Sequence, residues 1–371
     1  MTDPIFKAPA DPLRYEPSFE ALEEDEAETT RETRDTLHRI SETVQRDEGH
    51  AYRSVHAKSH GLIVGDMEVP SGLPPVLAQG AFAKPGHYPV VMRLSTTPGD
   101  LLDDNVSTPR GMALKIVGVE GERLPGTEGQ VTQDFLMING AVFSVAQASK
   151  FLRSLKLLAP TTDKAPRLKK ALSAALRGLE AVIEKAGGES STVKALGGHP
   201  ETNILGETFF TQVPVLYGPY MAKLSLAPVS PELTALTKAP VDMKNRPNAL
   251  RETVVEHFAR HGGTWELRVQ LCTNIEAMPI EDSSVEWPQE LSPFVAVARI
   301  TAAPQMAWSE ARATAIDDGM AFSPWHALAA HRPIGSIMRV RKAAYEMAAG
   351  FRSQHNLTQV REPESLDSLP G

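Results

Sequence analysis

The chain is short of cysteine, of basic clusters and of long apolar runs, and each shortage removes a class of function. A single cysteine, Cys272, among 371 residues excludes an internal disulfide and a cysteine-only metal site, and it fits a reducing compartment. No run approaches the roughly 18 consecutive apolar residues of a membrane span. The opening residues Met1-Thr2-Asp3-Pro4 lack the basic and apolar stretches of a signal peptide, so a cytoplasmic location is expected. A formal net charge of -8 with no basic cluster disfavours a nucleic-acid partner. Gly187-Gly188 and Gly197-Gly198 match neither dinucleotide nor phosphate-loop spacing, and no HExxH zinc motif occurs. Apolar material is plentiful: 42% hydrophobic residues with 12 Phe and 4 Trp can build a sizeable core.

Texture changes along the chain. Residues 1–35 carry Pro4, Pro9, Pro12 and Pro17 and then an acidic run from Glu20 to Glu28, which reads as an extended arm packed on the body or on another subunit. Over 34–48, Leu37, Ile40 and Val44 share one helical face. Short apolar runs separated by turn signals follow, at Leu62–Val64, Val90–Leu94, Met112–Val117 and Phe135–Ile138, and they suggest strands of a barrel or sandwich. Residues 145–187 read as helical, with an amphipathic stretch from Leu168 to Ile183 whose Lys169, Lys170 and Arg177 form a solvated face. Strands resume around 220–226, 265–271 and 295–300. In the second of these, Trp265, Leu267, Val269 and Leu271 alternate with Glu266, Arg268 and Gln270. A final helix is expected over about 335–353. Blocks of strands and helices in this order predict an α+β fold built on an antiparallel barrel.

Two segments carry chemistry. Arg341 precedes Tyr345 by four residues, so both lie on one face of the last helix. A tyrosinate that ligates iron needs a permanent cation nearby to depress its pKa from about 10, although a helical tyrosine alone is usually a core residue. His56 lies in a polar stretch with Arg53 and Lys58, where taken alone a histidine is more often solvated or structural than catalytic. His326 and His331 read as loop anchors before the last helix, and His261-Gly262-Gly263 as a turn.

Arg53-Ser54-Val55-His56-Ala57-Lys58 resembles the distal histidine segment of the haem catalases. Val91-Met92-Arg93-Leu94-Ser95-Thr96 and Pro109-Arg110-Gly111-Met112-Ala113-Leu114-Lys115 are similar to two of their strands. Trp287-Pro288, Ala321-Phe322-Ser323-Pro324, and Arg341-x-x-x-Tyr345 with Arg352 follow in the family's order. The matches run from about 50 to 355. Among haem proteins, tyrosine as the axial ligand marks catalases.

The resemblance implies a catalase-like antiparallel β-barrel core with surrounding helices and no C-terminal flavodoxin-like domain. An N-terminal arm and helix would occupy 1–50, and the haem-binding barrel domain 51–371, with a helical insertion at about 145–200. It implies haem b, with Tyr345 ligating the iron and Arg341 holding the tyrosinate. His56 would be the distal acid/base and Ser95 its hydrogen-bond partner. Arg53, Arg93 and Arg352 would pair with the propionates, and Phe143 would stack on the porphyrin.

One departure stands out. Counting twelve residues back from Phe143, as the family's distal asparagine requires, gives Val131 unless a shift of register brings in Thr132 or Gln133. A valine there disfavours dismutation of H2O2. Together with the short chain, it points to the small catalase-like haem peroxidases that reduce or rearrange organic hydroperoxides through haem oxidised by the peroxide. The expected partners are a peroxide, an unknown reductant and further copies of the chain in a homo-oligomer. The alternatives are a conventional catalase and a haem-binding protein without turnover.

Overall fold

The computed structural model describes residues 11–106, 108–159 and 199–371. The amphipathic stretch 168–183 lies outside the described residues. Helix α1 (Glu26–Glu48) begins earlier than the sequence suggests, inside the acidic run, where Glu26 and Glu28 of its first turn complement the positive end of the helix dipole. It buries Leu37, Ile40 and Val44 as their spacing requires. Before it, residues 11–25 are an arm that lays Leu13, Tyr15 and Phe19 against a small core containing Trp287.

Nine antiparallel strands follow: β1 (Lys58–Val69), β2 (Gly86–Thr96), β3 (Arg110–Val117), β4 (Thr132–Ile138), β5 (Phe209–Phe210), β6 (Val215–Tyr217), β7 (Tyr220–Pro228), β8 (Gly263–Leu271) and β9 (Val295–Ala302). Their order is β5-β4-β3-β2-β1-β9-β8-β7-β6, and the extra pairing of β5 with β7 closes eight of them into a barrel with β6 outside. Every long strand foreseen in the sequence is present. The two-residue β5 and three-residue β6 carry too little pattern to be read from sequence.

An eight-stranded barrel is just wide enough to be filled by side chains. Here Ile63, Met92, Leu94, Met112, Leu114, Phe135, Met137, Leu224, Leu267 and Val269 fill it. Strand alternation then sends Arg93, Ser95, Gly111, Ala113, Leu136 and Ile138 to the outer face, where they line a cavity. Helix α2 (Ala148–Leu158), α1 and the last helix cover that face. α3 (Ala249–Phe258) packs Val254 and Phe258 into the barrel core instead.

The last helix, α4 (Ser336–His355), starts at Gly335, whose φ of 89° suits glycine and where a Cβ would lie 2.7 Å from the Ile280 carbonyl oxygen. It packs Ala344 against Leu37, Ile40, Val44 and Leu155. Arg339 anchors it: Nη1 donates to Glu20 at 2.7 Å and to Glu281 at 2.9 Å, and Nε to Glu26 at 2.7 Å. The acidic arm therefore fixes the helix that carries the tyrosine. After α4 the chain runs back along the barrel, with Leu366 and Leu369 packed beside Leu62, Val91 and Ile316.

Candidate active site

The cavity between the barrel and these helices measures about 1290 Å³, above the ~300–1,000 Å³ of ordinary small-molecule pockets. It is lined by Arg53, His56, Arg93, Ser95, Phe143, Arg341, Tyr345 and Arg352, residues drawn from four distant parts of the chain.

On the α4 side, Arg341 Nη2 donates to Tyr345 Oη across 2.5 Å. The same guanidinium lies 5.9 Å from the Phe143 ring centroid. Phe143 packs edge-on to Phe151, with ring centroids 5.5 Å apart.

On the barrel side, His56 sits just before β1 with φ 57°, a left-handed backbone uncommon outside glycine and concentrated at functional sites. Its Nδ1 lies 3.1 Å from Ser95 Oγ. The ring fits against β3 because residue 111 is glycine: a Cβ there would come within 2.7 Å of the imidazole. Burial, followed by the nearby positive charges of Arg93 and Arg341, pushes the His56 pKa down to about 3, so the imidazole is neutral at ordinary pH.

The third element is an arginine cluster. Arg93, on β2, donates from Nε to Asp317 Oδ1 at 2.6 Å and from Nη2 to the Ala57 carbonyl at 3.1 Å. Arg53 donates from Nη1 to Asp317 Oδ1 at 3.0 Å, and from Nη2 to the Met320 carbonyl at 3.1 Å. Arg352 reaches the same carbonyl from Nη2 at 3.1 Å, but its buried Nε has no hydrogen-bond partner among the described residues. Burial lowers the Arg352 pKa to about 10.

Val131 is not part of this arrangement. It stands just before β4, with its carbonyl accepting from Gly118 N–H at 2.8 Å and Val119 N–H at 2.9 Å, and it does not line the cavity. The end of β4 near His56 is the other one, because Ile138 is the residue paired with Gly111. At ~3.3 Å per strand residue, Val131 is removed from it by roughly 23 Å. Thr132 and Gln133 are engaged elsewhere, with Glu362 and with the Leu328 N–H respectively.

The polar residue at the His56 end of β4 is Asn139, which lines the cavity four residues before Phe143. Its Oδ1 accepts from Arg110 N–H at 2.9 Å, and its Nδ2 lies 2.7 Å from His199 Nε2 and also contacts Glu207. In the sequence Asn139 is followed four residues later by Phe143, whereas the twelve-residue spacing leads across β4 to Val131.

The other histidines behave as anchors. His331 Nε2 accepts from Ala81 N–H at 3.0 Å inside a ring cluster with Phe82, Phe135 and Tyr217. His326 lies 2.9 Å from Glu362 and 3.3 Å from Asp134. These three side chains approach the geometry of a metal site, but Lys115 Nζ sits among the carboxylates, 2.8 Å from Asp134 and 2.6 Å from Glu362. The lysine supplies the cation, and the cluster is an ion-pair network binding the C-terminal segment to the barrel.

No protein-family model matches the chain, and no curated protein matches it. Solved structures do. A fungal catalase superposes with a TM-score of 0.58 at 17% identity, covering 88% of this chain and 67% of its own. Catalase A from Saccharomyces cerevisiae gives 0.59 at 16% identity, with 88% and 69% covered. A bacterial catalase gives 0.55 at 15%, with 88% and 64% covered.

The fold is that of the catalases. The chain spans about two thirds of the length of those structures. No described helix is long and apolar enough to cross a membrane.

A catalase fold implies haem, and the residues present fit one. A flat dicarboxylate needs fixed cations at one edge, and Arg53, Arg93 and Arg352 line the cavity together, with Arg352 Nε buried and unpartnered. Iron needs an oxygen or nitrogen donor below and room above. Tyr345 would supply the donor, and its hydroxyl accepts from a guanidinium.

Proposed function

We propose that this chain is a haem b-dependent oxidoreductase that acts on peroxides. The observation that carries this reading is the convergence of the Arg341–Tyr345 pair, the neutral His56 held by Ser95, and three arginines on one cavity wall. When bound, haem supplies an iron that takes up peroxide and exchanges two electrons with it. Tyr345 would ligate the iron, with Arg341 as the counter-charge for the tyrosinate. Arg53, Arg93 and Arg352 would hold the propionates, and Phe143 would pack against the porphyrin.

His56 is suited to move a proton. With Nδ1–H donating to Ser95 Oγ, Nε2 keeps its lone pair and accepts the proton of one peroxide oxygen. It then returns that proton to the other oxygen as the O–O bond breaks, so the imidazole ends as it began. A base with a pKa of about 3 does not hold the proton between these steps.

Two substrate classes divide the remaining question. Organic hydroperoxides are favoured by the cavity's apolar walls, among them Leu37, Ile40, Leu102, Val106 and Leu155. Dismutation of H2O2 is favoured by Asn139, a polar residue at the His56 end of β4, whose amide is held by Arg110, His199 and Glu207 and would have to exchange one of these contacts for peroxide. A homo-oligomer in the cytoplasm completes the reading.

The deciding experiment follows the absorption spectrum of the haem-loaded protein and oxygen release after adding H2O2 and then cumene hydroperoxide. Consumption of cumene hydroperoxide with little oxygen supports a peroxidase, and brisk oxygen from H2O2 supports a catalase. A haem spectrum that neither peroxide changes would leave only haem binding.

A further inference from the structure

The arginine cluster contains a carboxylate that the sequence did not bring to notice. Asp317 closes a π-helical turn (Ala313–Asp318), an irregularity that often marks functional sites. Its Oδ1 accepts from Arg93 Nε at 2.6 Å and from Arg53 Nη1 at 3.0 Å, and its backbone carbonyl accepts from Arg53 Nη1 at 2.9 Å. Oδ2 is fixed by Ser59 Oγ at 2.6 Å, and that hydroxyl is itself held by Trp308 Nε1 at 2.9 Å. Asp317 does not line the cavity, whereas Arg53, Arg93 and Arg352 do. Its neighbour Asp318 is engaged elsewhere, with His50 and Asn356.

Among the described residues Asp317 is therefore the only acid hydrogen-bonded to any of the three arginines, and it holds Arg53 and Arg93 but not Arg352. Three buried or half-buried cations and one hydrogen-bonded anion leave two positive charges without a directly bonded anion; Asp318 acts on Arg53 and Arg352 only through space. The nearby guanidinium groups hold the Asp317 carboxyl below its ordinary pKa, so the anion persists at ordinary pH. Buried charge is tolerated only when it is compensated, and hydrogen-bonded compensation here is incomplete by two.

We propose that Asp317 is a positioning and charge-matching residue. It holds Arg53 and Arg93 from behind the cavity wall and sets the charge of the cluster to suit a planar ligand carrying two carboxylates. The inference rests on the haem reading above and adds to it the determinant of ligand charge.

The test titrates haem-free protein with haem and with haem dimethyl ester, which has the same shape and no carboxylates, and records thermal melts of the free and loaded forms. Asp317→Asn keeps an acceptor for both arginines but leaves a third uncompensated cation. It should raise the preference for the diacid over the diester by about tenfold, the lower end of what one neighbouring charge does to an ionisation equilibrium. It should also lower the melting temperature of the haem-free form more than that of the haem-loaded form. Asp317→Glu keeps the charge and should leave the preference within about twofold of wild type, so the proposal stays open to refutation even where Asp317→Asn does not fold. A preference that is unchanged or reduced in Asp317→Asn, or strongly altered in Asp317→Glu, overturns the charge-matching role alone. Wild-type protein that binds neither porphyrin overturns the haem reading and this inference with it.

Discussion

Arg341 and Tyr345 stand four residues apart on α4, and the guanidinium donates to the phenol oxygen across 2.5 Å. Helical spacing alone places them on one face. What makes the pair informative is that its oxygen lies in the cavity that also contains the neutral His56. Tyr345→Phe should leave the fold intact, with a melting temperature of the haem-free protein within a few degrees of wild type, but should abolish tyrosinate ligation. Absorption and electron paramagnetic resonance spectra of haem-loaded wild type and variant check this, and identical spectra would remove Tyr345 from the iron.

His56 carries a pH signature. Its folded pKa of about 3 lies below the ordinary 6.5, so the unfolded chain binds a proton that the folded one refuses. The contribution to stability is therefore complete above about pH 6.5 and is lost as pH falls toward 3. The neutral, buried His331, with a pKa near 4, adds a loss of the same sign. Melts between pH 4 and 8 should show this decline, and the peroxide reaction should show no ionisation near 6.5. His56→Ala should retain haem and slow the peroxide reaction by roughly 10²- to 10⁴-fold, the usual worth of a positioned proton carrier.

Gly111 gives the imidazole its place. A methyl group there would sit 2.7 Å from the ring. Gly111→Ala should displace His56 and slow the peroxide reaction at least about tenfold, as misplaced catalytic groups do, with haem still bound. Unchanged kinetics would mean that the ring lies elsewhere in the working protein.

Asn139 and Val131 separate two readings of the same segment. Asn139→Ala should slow the reaction with H2O2, whereas Val131→Ala, at the far end of β4, should leave it unchanged. Rates measured for both variants with H2O2 and with cumene hydroperoxide decide the matter. An effect of Val131→Ala confined to the peroxide step would restore the sequence-based assignment.

Arg352 tests the ligand's carboxylates. Its Nε is buried without a partner, so Arg352→Leu should raise the melting temperature of the haem-free protein by removing an uncompensated charge. The same change should weaken haem binding by roughly ten- to a hundredfold, the worth of one charge-assisted hydrogen bond. Loss of stability with unchanged haem affinity would assign the residue to the fold alone.

Much of the architecture could be read in advance because it rests on short-range periodicity. Trp265, Leu267, Val269 and Leu271 alternate because one face of β8 fills the barrel, and Leu37, Ile40 and Val44 repeat because one stripe of α1 is covered. Arg341 and Tyr345 are a local pair for the same reason. The arginines, His56 and Ser95 were legible only through resemblance, since nothing local distinguishes them from surface residues.

The sequence by itself determined the long strands, the helices α1 and α4 and the residue types available for haem. Tertiary structure decided which of those residues meet. Asn139 and Gln130 line the cavity and Val131, between them in the chain, does not, so it is the placement of each residue along and before β4 that decides which one faces in. Asp317 reaches Arg93, 224 residues away in the chain, because a π-helical turn lies against the outer face of β1 and β2. Contacts of that sequence separation depend on register and packing, and no local pattern records them.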